Sequence, residues 1–239
     1  MLTFGDSQMH GFAVQAVQDS HPRLVRRINT EHPGAAARMG PEAVQELVTY
    51  VMTRATAFEL LEQEALDVYL DLVLALGLEV ERDRRVPWVG DTLALRTLSL
   101  PRKVVTLRRG LERYGAVLGQ RGRVVAQLAQ RGSRVPDPDR DAEAFWERVA
   151  ALWPAYWERQ PKLRLNGLLL AARPMAEHYG IPAGGLGAVC LAQLLLGVGC
   201  FADPQWRAVF APMAETPAAG RADAILDALG GLAPLFRED

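Results

Sequence analysis

The stretch Tyr179-Gly-Ile-Pro-Ala-Gly-Gly-Leu-Gly-Ala-Val-Cys-Leu-Ala-Gln-Leu-Leu-Leu-Gly-Val-Gly-Cys-Phe-Ala202 carries no charged side chain. A run of this length can cross a bilayer as a helix. It is also interrupted by Pro182, Gly184, Gly185, Gly187, Gly197 and Gly199. Two readings therefore compete: a membrane helix, or a core helix closed at both ends by glycine-rich turns. The basic anchors that would hold a membrane helix at the interface are missing from its flanks. The core helix is the favoured reading, and it makes the protein an all-α one with no membrane partner.

Working outward, apolar residues recur at helical spacing, and no segment alternates with a period of two. Asp6 and Ser7 are suited to cap a first helix, with Phe12, Val14 and Val17, then Leu24, Val25 and Ile28, on its apolar face. Pro22 is a candidate break or bend in it. Gly40-Pro41 opens a second helix bearing Val44, Leu47, Val48, Val51 and Met52. A third runs from about Glu62 to Leu76, and Gly77 stops it. Residues 84–100 read as a loop or short helix around Pro87-Trp88. Pro101 opens a long arginine-rich helix reaching about Gln130. Residues 142–157 form an aromatic-bearing helix, followed by helices over 163–179, within the uncharged stretch, near 204–210 and over 218–229. Residues 132–141 are polar and turn-rich, the best linker candidate. This predicts two tandem helical-bundle modules, residues 1–131 and 142–239.

The halves resemble each other. Ala57-Phe-Glu-Leu-Leu, a helix ending Leu-Val-Leu-Ala-Leu-Gly77, Val80 and Pro87-Trp88 stand in the first. His178-Tyr-Gly-Ile-Pro, a helix containing Leu-Ala-Gln-Leu-Leu-Leu-Gly197, Phe201 and Pro204-Gln-Trp206 stand in the second. Either the chain is duplicated, or helical sequences are self-similar by chance. Under duplication, the uncharged helix matches the one carrying Glu62, Glu64, Asp67 and Asp71, and so occupies a globular core position.

The bulk properties narrow the function classes. The chain has 239 residues, 49% of them hydrophobic, which suffices for a sizeable core. A formal net charge of −1 offers no global attraction to nucleic acid or to a membrane surface. Two cysteines, Cys190 and Cys200, are too few for a disulfide framework and point to a reducing compartment. The first residues lack the basic start and apolar run of a secretion signal, so the expected location is the cytoplasm.

Candidate chemistry is sparse. Phe4-Gly5-Asp6-Ser7 resembles a serine-hydrolase nucleophile block, but a strand, a histidine base and oxyanion donors should accompany it. A helix cap explains Asp6 and Ser7 better. Gly185-Leu-Gly187 begins like a dinucleotide loop, yet no strand precedes it. His10, His21, His32 and His178 show no metal-ligand spacing. The expectation is therefore no enzyme, no cofactor and no metal. Glu64, Asp67 and Asp71 share one helix face, which is suited to a partner or to internal arginines. Arg102, Lys103, Arg108, Arg109, Arg113, Arg121, Arg123 and Arg131 form a basic run interleaved with a core face. Nucleic acid is a weak reading of it, since no aromatic platform beyond Tyr114 accompanies it. Trp146, Trp153 and Trp157 fall on one stripe, as core with an edge available to a partner. The residues singled out for partner binding are Glu64, Asp67, Asp71, Trp88, Arg102, Arg109, Arg113 and Trp157.

Several positions in the first hundred residues carry a family resemblance. They are Gln8, Phe12, Arg26, Pro33 after His32, Gly40, Ala57-Phe58-Glu59-Leu60, Glu64, Tyr69, Leu72-Val-Leu-Ala-Leu-Gly77, Asp83 and Val86-Pro87-Trp88. In this pattern the chain resembles small uncharacterised bacterial proteins encoded beside type VI secretion components, near spike, adaptor and effector genes. Phe58 and Glu59 depart from the tyrosine and glycine common there, and the second half is covered only through the internal similarity. The resemblance implies an accessory binding protein for a secreted effector, such as a chaperone, adaptor or co-effector, acting without catalysis. The alternatives are an immunity protein that blocks a cognate toxin and, third, a hydrolase using Ser7.

Overall fold

The structure, a computed structural model, describes the backbone of residues 6–130, 135–158 and 162–236, and the side chains of 19–129, 135–158 and 166–236. The described chain is all-helical: α1 (Asp6–Glu31), α2 (Pro33–Ala57), α3 (Gln63–Leu76), α4 (Pro87–Ala94), α5 (Leu100–Leu118), α6 (Arg121–Gln130), α7 (Ala142–Leu152), α8 (Pro154–Trp157), α9 (Lys162–His178), α10 (Leu186–Leu196), α11 (Arg207–Glu215) and α12 (Arg221–Gly231). Short 3-10 turns cover Val80–Arg82, Ala218–Gly220 and Ala233–Phe236.

Local chemistry moves several expected boundaries. α1 runs through Pro22 without ending. The helix expected to open at Gly40-Pro41 does so, since Gly40 breaks the chain's helical path at φ 76°, which suits a residue without a Cβ; what is added is the preceding helical segment from Pro33, continuous with it as α2. The expected single helix over 101–130 is two, parted at Gly119 and Gln120. The break redirects α6 so that Gly122 lies against the C-terminal turn, where a Cβ would sit 2.4 Å from the carbonyl oxygen of Phe236. The expected helix over 142–157 is likewise two. Pro154 disfavours helical geometry in the residue before it, and Trp153 sits at φ −136°, ψ 68°.

The uncharged stretch is a core element. α10 is buried at every position from Leu186 to Leu196. It packs against α9 and α12, and the Val135–Pro136 segment closes on Gly187, where a Cβ would meet the Pro136 carbonyl oxygen at 2.7 Å. Among the described residues, no helix is long and apolar enough to cross a membrane.

One continuous buried cluster takes in side chains from Leu24 to Ala233. α6 lies against α12 and the last 3-10 turn, and α8 touches α5. Segments from both sides of residues 131–141 therefore build the same core.

The backbone bonds around α3 and α10 repeat. Phe58, Glu59 and Leu60 close the end of α2 as Tyr179, Gly180 and Ile181 close α9: Leu60 N–H bonds to the Ala55 carbonyl, and Ile181 N–H to that of Ala176. Beyond the helices the match continues at a spacing of 120 residues. Gly77 N–H reaches Val73 O as Gly197 N–H reaches Gln193 O, and Val86 N–H reaches Asp83 O as Trp206 N–H reaches Asp203 O. This register sets Val86, not Trp88, opposite Trp206. The two repeated corners abut. Gly77 (φ 96°) and Gly197 (φ 115°) end their helices against each other. A Cβ on Gly77 would fall 2.5 Å from Leu196 O, and one on Gly197 would fall 2.3 Å from Leu76 O.

Candidate functional site

Where α3 and α10 end together, their last carbonyls concentrate negative dipole ends in a dry core. Buried side chains answer them. The Arg85 guanidinium donates to Leu194 O and Leu76 O, both at 2.7 Å, and pairs with the wholly buried Asp83 carboxylate. Arg121 donates to Ala75 O at 2.6 Å, and Gln205 to Val73 O at 3.2 Å. In the second corner Asp203 holds the place of Asp83, accepting from Gln205 N–H at 2.9 Å and across the junction from Leu78 N–H at 3.1 Å. Gln205 stands where the first corner has Arg85, so among the described residues no guanidinium hydrogen-bonds to Asp203, and Arg38 acts on it through its charge alone. Burial pushes its carboxyl up to about 6 against those hydrogen bonds. Burial likewise lowers Arg121, to about 9, and the nearby Arg85 cation adds to the effect. The bonds of this cluster run to main-chain carbonyls and to the Asp83 carboxylate, which marks it as structural.

The acidic face forms a seam within the molecule. Arg23 reaches Asp67 at 2.6 Å, Arg27 reaches Asp71 at 2.9 Å, and Arg108 reaches Glu64 at 2.9 Å. Burial of the Asp71 carboxyl is outweighed by His32 and the Arg27 guanidinium, so it is held below its ordinary range. Glu64, Asp67 and Asp71 thus hold α1 and α5 to α3.

The basic residues behave differently. Three of the singled-out residues, Trp88, Arg109 and Arg113, line one cleft together with Thr106, Gly110 and Tyr114, with a volume of about 320 Å³. α4 and α5 are in contact, and the Trp88 ring packs on α5 at Gly110, where a Cβ would sit 2.4 Å from it. Gly110 is thus the residue that lets an indole form the wall. Tyr114 is buried at the floor, while Arg109 and Arg113 are exposed at the rim. Arg102, two turns earlier on α5, is exposed as well. Arg102 and Arg109 have no carboxylate partner among the described residues. Trp157 stands apart from the cleft: it is half-buried on α8, its ring 6.3 Å from that of Trp146. The other two tryptophans of that stripe, Trp146 and Trp153, are core.

The remaining candidates do not converge. Phe4 and Gly5 lie outside the described residues, as do the side chains of Ser7 and His10. His178 packs edge-on against Tyr179, and His21 lies 3.4 Å from the Thr49 hydroxyl. Cys190 and Cys200 are buried free thiols, both pushed up by burial. No group of three or more His, Cys, Asp or Glu side chains suited to hold a metal occurs among the described residues.

Sequence reasoning passed over Gly110 and Tyr114 as parts of a site. A glycine inside an otherwise strong helix was the available signal, because it costs stability unless something must approach closely. In comparisons with known proteins, the chain matches no family profile, no curated protein and no solved structure.

Proposed function

We propose that this chain is a non-catalytic binding protein that docks an acidic segment of a protein partner on the α4–α5 face. One observation carries the reading: the Trp88 indole from α4 and the buried Tyr114 ring share a cleft with Arg109, and Arg102 and Arg109 are exposed on α5 with no carboxylate partner among the described residues. Aromatic side chains and arginine are the usual anchors of protein interfaces, because they combine apolar area with directed donors. An exposed guanidinium without an internal carboxylate attracts a negative partner and speeds its approach. The likeness of the first hundred residues to proteins encoded beside type VI secretion genes supports a secreted effector as that partner, with this chain as its chaperone, adaptor or co-effector.

Co-expression with the neighbouring effector tests this. The expected result is a complex that co-purifies, weakens as salt rises, and is lost in Arg102→Glu/Arg109→Glu while the variant keeps its helical circular dichroism. Increased effector abundance or secretion accompanies the complex. Rescue of growth from the effector's toxicity, without a change in its abundance, would assign an immunity role instead. A complex unaffected by the double variant and by Trp88→Ala would refute the docking face.

A further inference from the structure

A second cleft, of about 400 Å³, opens where the end of α2 meets the α4–α5 connection, and it goes beyond the docking face just described. Its apolar lining is Phe58, Leu93, Leu98 and Leu100. Phe58 is held in place by the Arg54 guanidinium, 5.4 Å above its ring, and by Tyr69 at 6.4 Å. Three charged side chains line the same space: Lys103, Arg96 and Glu59.

Lys103 is the unusual one. It is only 8% exposed, yet its ammonium donates to a single partner among the described residues, Leu93 O at 3.0 Å. An ammonium has three N–H donors, and leaving them unmet away from water is costly. Arg96 adds an exposed guanidinium with no partner among the described residues. Glu59 supplies the opposite charge from a strained position. Its φ is 60°, whereas the same bond pattern at the end of α9 has Gly180 at φ 57°. The first corner thus keeps a side chain where the second uses glycine, and that side chain faces the cleft.

We propose that this cleft binds an α-carboxylate borne beside an apolar side chain. The carboxylate is taken by Lys103 and Arg96, and the apolar group rests on Phe58 and the leucines. A free amino acid and the last residue of a polypeptide share this chemistry. Glu59 distinguishes them, since only the free amino acid brings an ammonium to it.

The test is calorimetric titration of the full chain with L-leucine, N-acetyl-L-leucine and N-acetyl-L-leucinamide. At least one of the two acids binds, and the amide does not. Arg96→Glu, an exposed change that leaves the fold intact, weakens that binding roughly tenfold or more. Lys103→Met does the same, with circular dichroism checking that it folds. Preference for leucine, lost in Glu59→Gln, assigns a free amino acid. Preference for N-acetyl-leucine, unchanged in Glu59→Gln, assigns a chain end. Equal binding of acid and amide, binding indifferent to Arg96→Glu, or no binding of any of the three at millimolar concentration overturns the proposal.

Discussion

Asp203 shows how one residue's partners set its chemistry. Its counterpart Asp83 is held by the Arg85 guanidinium, whereas Asp203 is buried among main-chain and amide donors with Gln205 in the arginine's place, and the charge of Arg38 only partly offsets the burial. Its folded-state carboxyl is raised from 3.8 to about 6. A raised carboxyl is favoured in its protonated form by folding. The stability it contributes is therefore present below pH 3.8 and lost as the pH rises through 6. Asparagine at this position cannot titrate. Between about pH 7 and about pH 5 the native protein should gain about 1 kcal/mol relative to Asp203→Asn. Urea unfolding of the two proteins at both pH values measures this, and parallel pH dependence would sink it. The local sequence carries part of this difference, since Arg85 and Gln205 each stand two residues after their aspartate, whereas the burial and the Leu78 N–H come only from the packing of the two corners.

At the scale of the element, α5 carries two glycines with opposite roles. Gly110 faces the Trp88 ring with no room for a methyl group, while a Cβ added at Gly115 would meet nothing within 4 Å. Alanine is the better helix former by up to about 1 kcal/mol at an open position. At Gly110 that gain is overtaken by the overpacking penalty, of about 1–3 kcal/mol, as the indole is driven off the helix. Gly115→Ala should therefore stabilise the protein, and Gly110→Ala should destabilise it and reshape the cleft. Denaturant midpoints decide the matter: a Gly110→Ala protein as stable as the parent or more so would show that Trp88 does not rest on this helix. The amphipathic pattern of α5 was legible because its apolar positions recur at helical spacing. Its ending was not, since Gly119 lies at ordinary helical angles and the break serves contacts made elsewhere by α6.

The whole molecule shares one core across the polar segment near residue 135. α6 packs on α12, Arg85 of the first corner holds Leu194 O of the second, and Asp203 of the second caps Leu78 N–H of the first. Removing either half strips partners from buried polar groups in the other, which costs more than leaving water-exposed groups unpaired. Thermal unfolding is therefore expected to be a single transition, coincident by far-ultraviolet circular dichroism and by tryptophan fluorescence. A fragment of residues 142–239 is expected to lack a cooperative transition. Two separated transitions, or a stably folded fragment, would show that the halves are independent.

What the sequence by itself determined is the helical class and the core placement of the 179–202 stretch. Periodicity and glycine punctuation are local properties, and local geometry obeys them. It also placed Trp88, Arg109 and Arg113 among the candidates for partner binding, and the structure brings these three to one cleft. Only the tertiary structure decided which charges remain available. Glu64, Asp67 and Asp71 look as exposed in sequence as Arg102 and Arg109, yet α1 and Arg108 engage the first three while nothing acidic among the described residues reaches the last two. Pairing between side chains far apart along the chain depends on how helices pack, and no spacing within one helix encodes it.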